Sequence, residues 1–172
     1  MRAVDSPVVV VTAIPEELDP ILQHFERLDE ERIGRMRVYR SAACRASLVF
    51  AATGDGPRSA EQNARKLCEL LVPTALLGVG IAGALTPSLA AFDLLAAARI
   101  RNGSGEMIPA DSILLSLATG AGALPGTLVT VAAPVVTIAG KESIARGLPS
   151  GERAAVDMES AAWARAAELC TV

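Results

Sequence analysis

The sequence predicts an α/β protein whose sheet is mainly parallel and covered by helices on both faces. Three observations point there. Hydrophobic residues make up 51% of the chain but aromatics only 3%, so the apolar content is chiefly Ala, Leu, Val and Ile, which suits helices packed closely on a buried sheet. Val8 to Ala13 is an unbroken, β-branched apolar run, the pattern of a strand buried on both faces. Runs of this kind alternate along the chain with segments of helical period, the order that builds parallel sheets. At 172 residues the chain is long enough to bury a core, and it reads as a single domain over residues 1–172.

Taken in order, Pro15 with Glu16, Glu17 and Asp19 opens a helix after the first strand: proline suits the first turn, and carboxylates suit the positive end of the helix dipole. Leu18, Ile21, Leu22, Phe25 and Leu28 form its inward stripe. Arg37 to Ser41 and Ser47 to Ala52 read as strands. A glycine turn, Thr53 to Pro57, leads into a second helix with Ala60, Ala64, Leu67, Cys68 and Leu71 on its apolar face. Thr74 to Val79 and Phe92 to Ile100 are expected strands, and Gly103 to Pro109 an expected loop. Asp111 is placed to cap a short helix running through Leu117. Lys141 and Glu142 read as a solvated helix face. Leu128 to Ala132 and Ala154 to Asp157 are expected strands, and Glu159 to Leu169 an Ala-rich helix.

Composition also excludes several functions. The formal net charge is −3, with no Lys/Arg cluster at either end, whereas a nucleic-acid partner needs a basic stripe. Cys44, Cys68 and Cys170 are widely spaced and carry no metal-ligand pattern, so no metal is expected and the cysteines read as small buried hydrophobes in a reducing compartment. The N-terminus lacks a signal-peptide pattern. Thr74 to Ala98 is almost free of charge, but Gly78, Gly80, Gly83, Pro87 and Asp93 interrupt it, so no membrane span is expected. A cytoplasmic location is the reading that follows.

In open α/β sheets ligands bind at the carboxyl ends of strands, and four such ends carry unusual residues. At Ala13 to Glu17, the carboxylates either complement the helix dipole or offer a base facing a crevice. Thr53 to Pro57 is either an ordinary tight turn or a place where Gly54 and Gly56 let a ligand approach the backbone. Gly78 to Gly83 has the G-x-G-x-x-G spacing, yet Pro87 interrupts the helix that should follow and no acidic residue stands about 20 positions on, so a dinucleotide cofactor is not expected. At Val156 to Ser160, a carboxylate either caps the last helix or accepts hydrogen bonds from a vicinal diol. His24, the only histidine, lies on the polar side of its helix and forms no Ser-His-Asp set. The ends at Ala13, Thr53, Val79 and Asp157 are expected to gather at one crevice.

These segments resemble the methylthioadenosine/S-adenosylhomocysteine nucleosidases and the related purine nucleoside phosphorylases. The resemblance rests on Ala13 to Glu17, the glycine turn at 54–56, Gly80 to Leu85, and above all Ala155 to Ala162, which reads AVDMESAA. The wording of that stretch is most similar to the hopanoid-associated phosphorylase group. The resemblance implies a three-layer α/β/α sandwich with a central, mainly parallel or mixed sheet, and a homo-oligomer, commonly a dimer. It implies a small-molecule nucleoside substrate, cleavage of its N-glycosidic bond by water or phosphate, and no cofactor. By position, Glu17 matches the carboxylate that activates the attacking water, Glu159 the residue that binds the ribose hydroxyls, and Met158 the residue packed on the ribose. Val135 and Val136 fall in the segment whose backbone contacts the base, and Gly54, Gly56, Gly80, Ala82 and Gly83 match backbone loops around the ligand. The chain departs from the phosphorylases at Gly78 and Ile81, where they carry an anion-binding arginine and serine. Hydrolysis is therefore the expected reaction, with phosphorolysis and nucleoside binding without turnover as the alternatives. Relatives continue past the position of Val172 into a strand and helix bearing an aspartate that protonates the leaving purine. The expectation for these 172 residues is weak turnover and self-association.

Overall fold

A computed structural model of the chain describes residues 6–41 and 47–168. Cys44, Leu169 and Cys170 lie outside the described residues. The chain divides into two compact units, Met1–Ile81 together with Ala162–Val172, and Ala82–Ala161.

The first unit contains β1 (Val8–Thr12), α1 (Pro15–Leu22), β2 (Leu28–Ile33), β3 (Met36–Ser41), β4 (Leu48–Ala52), α2 (Pro57–Leu71) and β5 (Ala75–Gly78). Its five-stranded sheet has the order β2-β3-β4-β1-β5. β1 runs parallel to β4 and β5, while β3 is antiparallel to both β2 and β4. The apolar run at Val8 takes the middle of the parallel part, and Val9 and Val11 are fully buried there. On one face lies α2, whose Ala60, Ala64, Leu67 and Cys68 are buried with Val9, Val11, Val38 and Val49. The other face is held by Leu18 of α1, packed with Val10 and Phe50. Helix α1 is shorter than its apolar stripe promises. Pro20 sits inside it and removes one backbone donor. Phe25 then leaves the helix to meet the Phe50 ring at a centroid distance of 4.7 Å, and Leu28 begins β2 instead of extending the stripe.

The second unit contains β6 (Gly83–Ala84), β7 (Leu95–Arg101), β8 (Met107–Pro109), α3 (Ser112–Gly120), β9 (Leu124–Thr130), α4 (Ile138–Ala145) and β10 (Ala154–Asp157). Helix α5 (Ser160–Glu168) begins in this unit and continues into the residues of the first. The sheet order is β6-β10-β9-β7-β8, with β9 parallel to β10 and β7 and with antiparallel edges β6 and β8. Its core gathers Leu85, Val129, Ala154 and Val156, with Val131, Val135, Ile144 and Leu148 packed against them. The expected loop from Gly103 holds a strand at its end. Asn102 Oδ1 accepts from Ser104 N at 3.0 Å and from Glu106 N at 3.0 Å, closing a tight turn that returns Met107–Pro109 along β7. Asp111 caps α3 as its position predicts, accepting from Ile113 N and Leu114 N, each at 2.9 Å. The α/β class is borne out, with strands shared between two mixed sheets. Among the described residues no helix is long and apolar enough to cross a membrane.

Candidate active site

In the first unit the carboxyl ends of β1, β4 and β5 are tied together by backbone hydrogen bonds. Thr53 N donates to Thr12 O at 2.8 Å, Gly54 N to Ala13 O at 2.8 Å, and Val79 N to Val11 O at 2.9 Å. Three of the four expected strand ends therefore meet. Thr12 and Thr53 are fully buried, and Thr53 Oγ1 donates to Thr12 O at 3.0 Å while accepting from Trp163 Nε1 at 3.0 Å. The apolar run Ala161, Ala162, Trp163 and Ala166 of the last helix marks this tryptophan as a residue that docks on the sheet, and the structure buries it there, but its bond to Thr53 has no signal in the sequence.

Glu17, on the first turn of α1, reaches back across these ends. Its Oε2 accepts from Ala13 N at 3.1 Å and its Oε1 from Ile81 N at 2.9 Å. One carboxylate thus links the β1–α1 turn to the segment after β5. Each oxygen retains a lone pair for a further donor. Gly80 lies near enough that a Cβ there would stand 3.0 Å from Glu17 Oε1 and crowd the carboxylate. Gly54 and Gly56 have φ of +97° and +81°, the left-handed region that glycine enters freely. At Gly78 a Cβ would meet the Trp163 ring at 2.5 Å, so the indole occupies the room any side chain at that position would need.

In the second unit Met158 and Glu159 follow the carboxyl end of β10. The capping of α5 falls to other residues: Asp157 Oδ2 accepts from Ser160 N at 2.8 Å, and Thr130 Oγ1 accepts from Ala161 N at 3.0 Å while donating to Asp157 Oδ1 at 2.7 Å. Glu159 is nevertheless 92% buried, with 8% of its surface exposed, and its Oε2 accepts from Met158 N at 3.3 Å. Of the two expected base-side residues, Val135 packs against the core of this unit and Val136 is exposed. Ala82 is exposed, whereas Gly83 is half-buried and paired with Val156. Lys141 corrects its reading as a solvated residue. It is half-buried, and its ammonium stands 3.4 Å from where a Cβ of Gly83 would be.

A surface cavity of about 320 Å³, lined by Arg99, Gly126, Glu152 and Arg153 among others, opens at the amino-terminal ends of β9 and β10, the opposite end of these strands from Met158 and Glu159. Arg99 and Thr127 both hydrogen-bond Glu152 there. Burial raises the Glu152 carboxyl, but these two hydrogen bonds and the charges of Arg99 and Arg101 outweigh it and hold the group below the ordinary glutamate value. Among the described residues no cluster of His, Cys, Asp or Glu is suited to hold a metal ion.

By structure the chain is similar to the 5′-methylthioadenosine/S-adenosylhomocysteine nucleosidase of Neisseria meningitidis, solved with methylthio-immucillin-A. The TM-score is 0.85 at 22% identity, covering 95% of this chain and 80% of that one. A futalosine hydrolase mutant of Helicobacter pylori gives 0.84 at 19% identity over 95% and 80% of the two chains. The S-adenosylhomocysteine nucleosidase of Streptococcus pyogenes, in complex with 5-methylthiotubericidin, gives 0.86 at 19% identity over 98% and 80%. At these identities the likeness concerns the fold. No curated protein matches the chain. In sequence, the phosphorylase superfamily matches residues 7–172, nearly the whole length, and the chain belongs to that family.

Proposed function

We propose that this protein hydrolyses the N-glycosidic bond of a purine nucleoside. The observation that carries the reading is the buried Glu159 carboxylate at the carboxyl end of β10, on a turn where Asp157 and Thr130 already supply the helix cap. A carboxylate oxygen carries more than one acceptor site, and a charged acceptor at a strand's carboxyl end is suited to the paired hydroxyls of a ribose. In this reading Glu159 accepts from the ribose hydroxyls, Met158 packs on the sugar, and the backbone around Val135 and Val136 borders the base. Glu17 takes a proton from water as the water oxygen bonds to C1′. The C1′–N9 electron pair leaves with the base, which takes up a proton. The products are free base and the sugar.

Water is favoured over phosphate because the indole of Trp163 fills the space at Gly78 and leaves no room there for a cationic side chain. The structural neighbours were solved with methylthio-immucillin-A and 5-methylthiotubericidin, ligands that support a nucleoside substrate here. The test is incubation with adenosine and with methylthioadenosine, with and without phosphate, followed by chromatography. Free base released equally in both conditions, with unphosphorylated sugar, is the expected result. Release that requires phosphate would establish phosphorolysis instead, and tight nucleoside binding without release would make the protein a binder.

A further inference from the structure

The second unit carries a half-buried cation close to the carboxyl end of β10. Lys141 sits on α4, four residues after the N-cap Thr137, whose Oγ1 accepts from Gly140 N at 3.1 Å. Its side chain is half-buried, and its ammonium reaches the backbone of Gly83. The ammonium lies 3.4 Å from the Cβ position of Gly83, and Val156 Cγ1 lies 3.3 Å from that same position. Gly83 pairs with Val156, one residue before the end of β10, so Lys141 stands at the strand end that leads into Met158 and Glu159. Among the described residues no carboxylate forms an ion pair with it. A Cβ at position 83 would touch the ammonium at ordinary contact distance, so Lys141 lies directly against this glycine.

Resting on the nucleosidase reading above, we infer that Lys141 is a base-binding residue, its ammonium donating a hydrogen bond to a ring nitrogen of the purine. Three features support this. Lys141 follows the Val135–Val136 segment by little more than one helical turn, its ammonium covers Gly83 of the glycine segment, and both belong to the carboxyl-terminal side of the sheet. As the glycosidic bond breaks and its electron pair moves onto the base, negative charge develops on the purine ring. A fixed ammonium beside that ring is stabilised more in the transition state than in the ground state, the condition for accelerating the step. The proton that finally neutralises the base passes through this hydrogen bond, and the ammonium is restored from solvent.

The experiment compares the unmodified chain with Lys141→Met and Lys141→Arg on two substrates, adenosine and p-nitrophenyl riboside, and measures adenine affinity by calorimetry. The nitrophenolate leaves without help, so it isolates the ribose side of the reaction from the base side. Lys141→Met is expected to lower kcat on adenosine by about 100-fold and adenine affinity by about 10-fold. On p-nitrophenyl riboside its kcat should stay within about threefold of the unmodified chain, and Lys141→Arg should recover part of the adenosine rate. Equal losses on both substrates would overturn the inference, because they would mark a structural role. Unchanged adenosine turnover and adenine affinity in Lys141→Met would overturn it while leaving the nucleosidase reading intact. An unmodified chain that cleaves neither substrate and does not bind adenine would end both.

Discussion

Two carboxylates separated by a single residue have different surroundings in this chain. Asp157 is tied to Thr130 and to the amide of Ser160, while Glu159 is buried beyond them. Replacing Glu159 by Gln keeps the shape and removes the charge. Adenosine affinity should fall by about 1.5–3 kcal/mol, the range for hydrogen bonds to a charged group, with the thermal midpoint little changed. Isothermal calorimetry beside a melting curve checks both, and unaltered affinity would remove Glu159 from ribose recognition. Glu152 makes a separate prediction about acid stability. Its folded-state pKa is lowered, so its contribution is complete above the ordinary glutamate value and is lost as pH falls through the lowered one. The urea midpoint should decline more gently below the ordinary carboxylate range in Glu152→Gln than in the unmodified chain, and parallel declines would count against the Arg99–Thr127–Glu152 network.

At the level of elements, α5 depends on residues outside itself. Removing the Asp157 side chain with alanine should lower stability by about 1 kcal/mol, the usual loss for a helix cap, and also free Thr130. Chemical denaturation measures the loss, and a variant of undiminished stability would mean that Thr130 caps the helix alone. Elements with a strong local signal were legible in the residues: the β1 run, the apolar face of α2, the Asp111 cap and the carboxyl-end glycines. Elements decided by tertiary contact were not. Leu28 fits a helical stripe, but Pro20 and the Phe25–Phe50 contact end α1 early, and β2 is mostly charged on its exposed residues. At the candidate site, Glu17 and Glu159 stood out as carboxylates at strand ends. Trp163 reads only as one apolar residue of the last helix and Lys141 as solvated, because each lies against a glycine distant in sequence, Gly78 and Gly83, that only the folded backbone brings near.

Across the whole molecule, buried residues are distributed unevenly. β1, β4 and α2 hold most of the fully buried side chains, whereas α3 and α4 have none that is buried. Local opening is easiest where few apolar contacts must be broken. Amide hydrogen exchange should therefore be fastest in α3 and α4 and slowest in β1, β4 and α2, and strong protection across α3 and α4 would point to a covering partner. The two-unit division has a further consequence for how the protein acquires its structure. The chain leaves the first unit at Ile81 and returns at Ala162, so Ala162, Trp163 and Ala166 complete a core begun with Val9 and Val11. The bond from Trp163 to Thr53 spans 110 residues of sequence, and such distant closures form late because the intervening loop must first be ordered. Trp163 is also the only tryptophan. Its fluorescence is thus a built-in clock for that closure: in stopped-flow refolding the emission change should lag the gain of far-ultraviolet circular dichroism and coincide with the slowest folding phase.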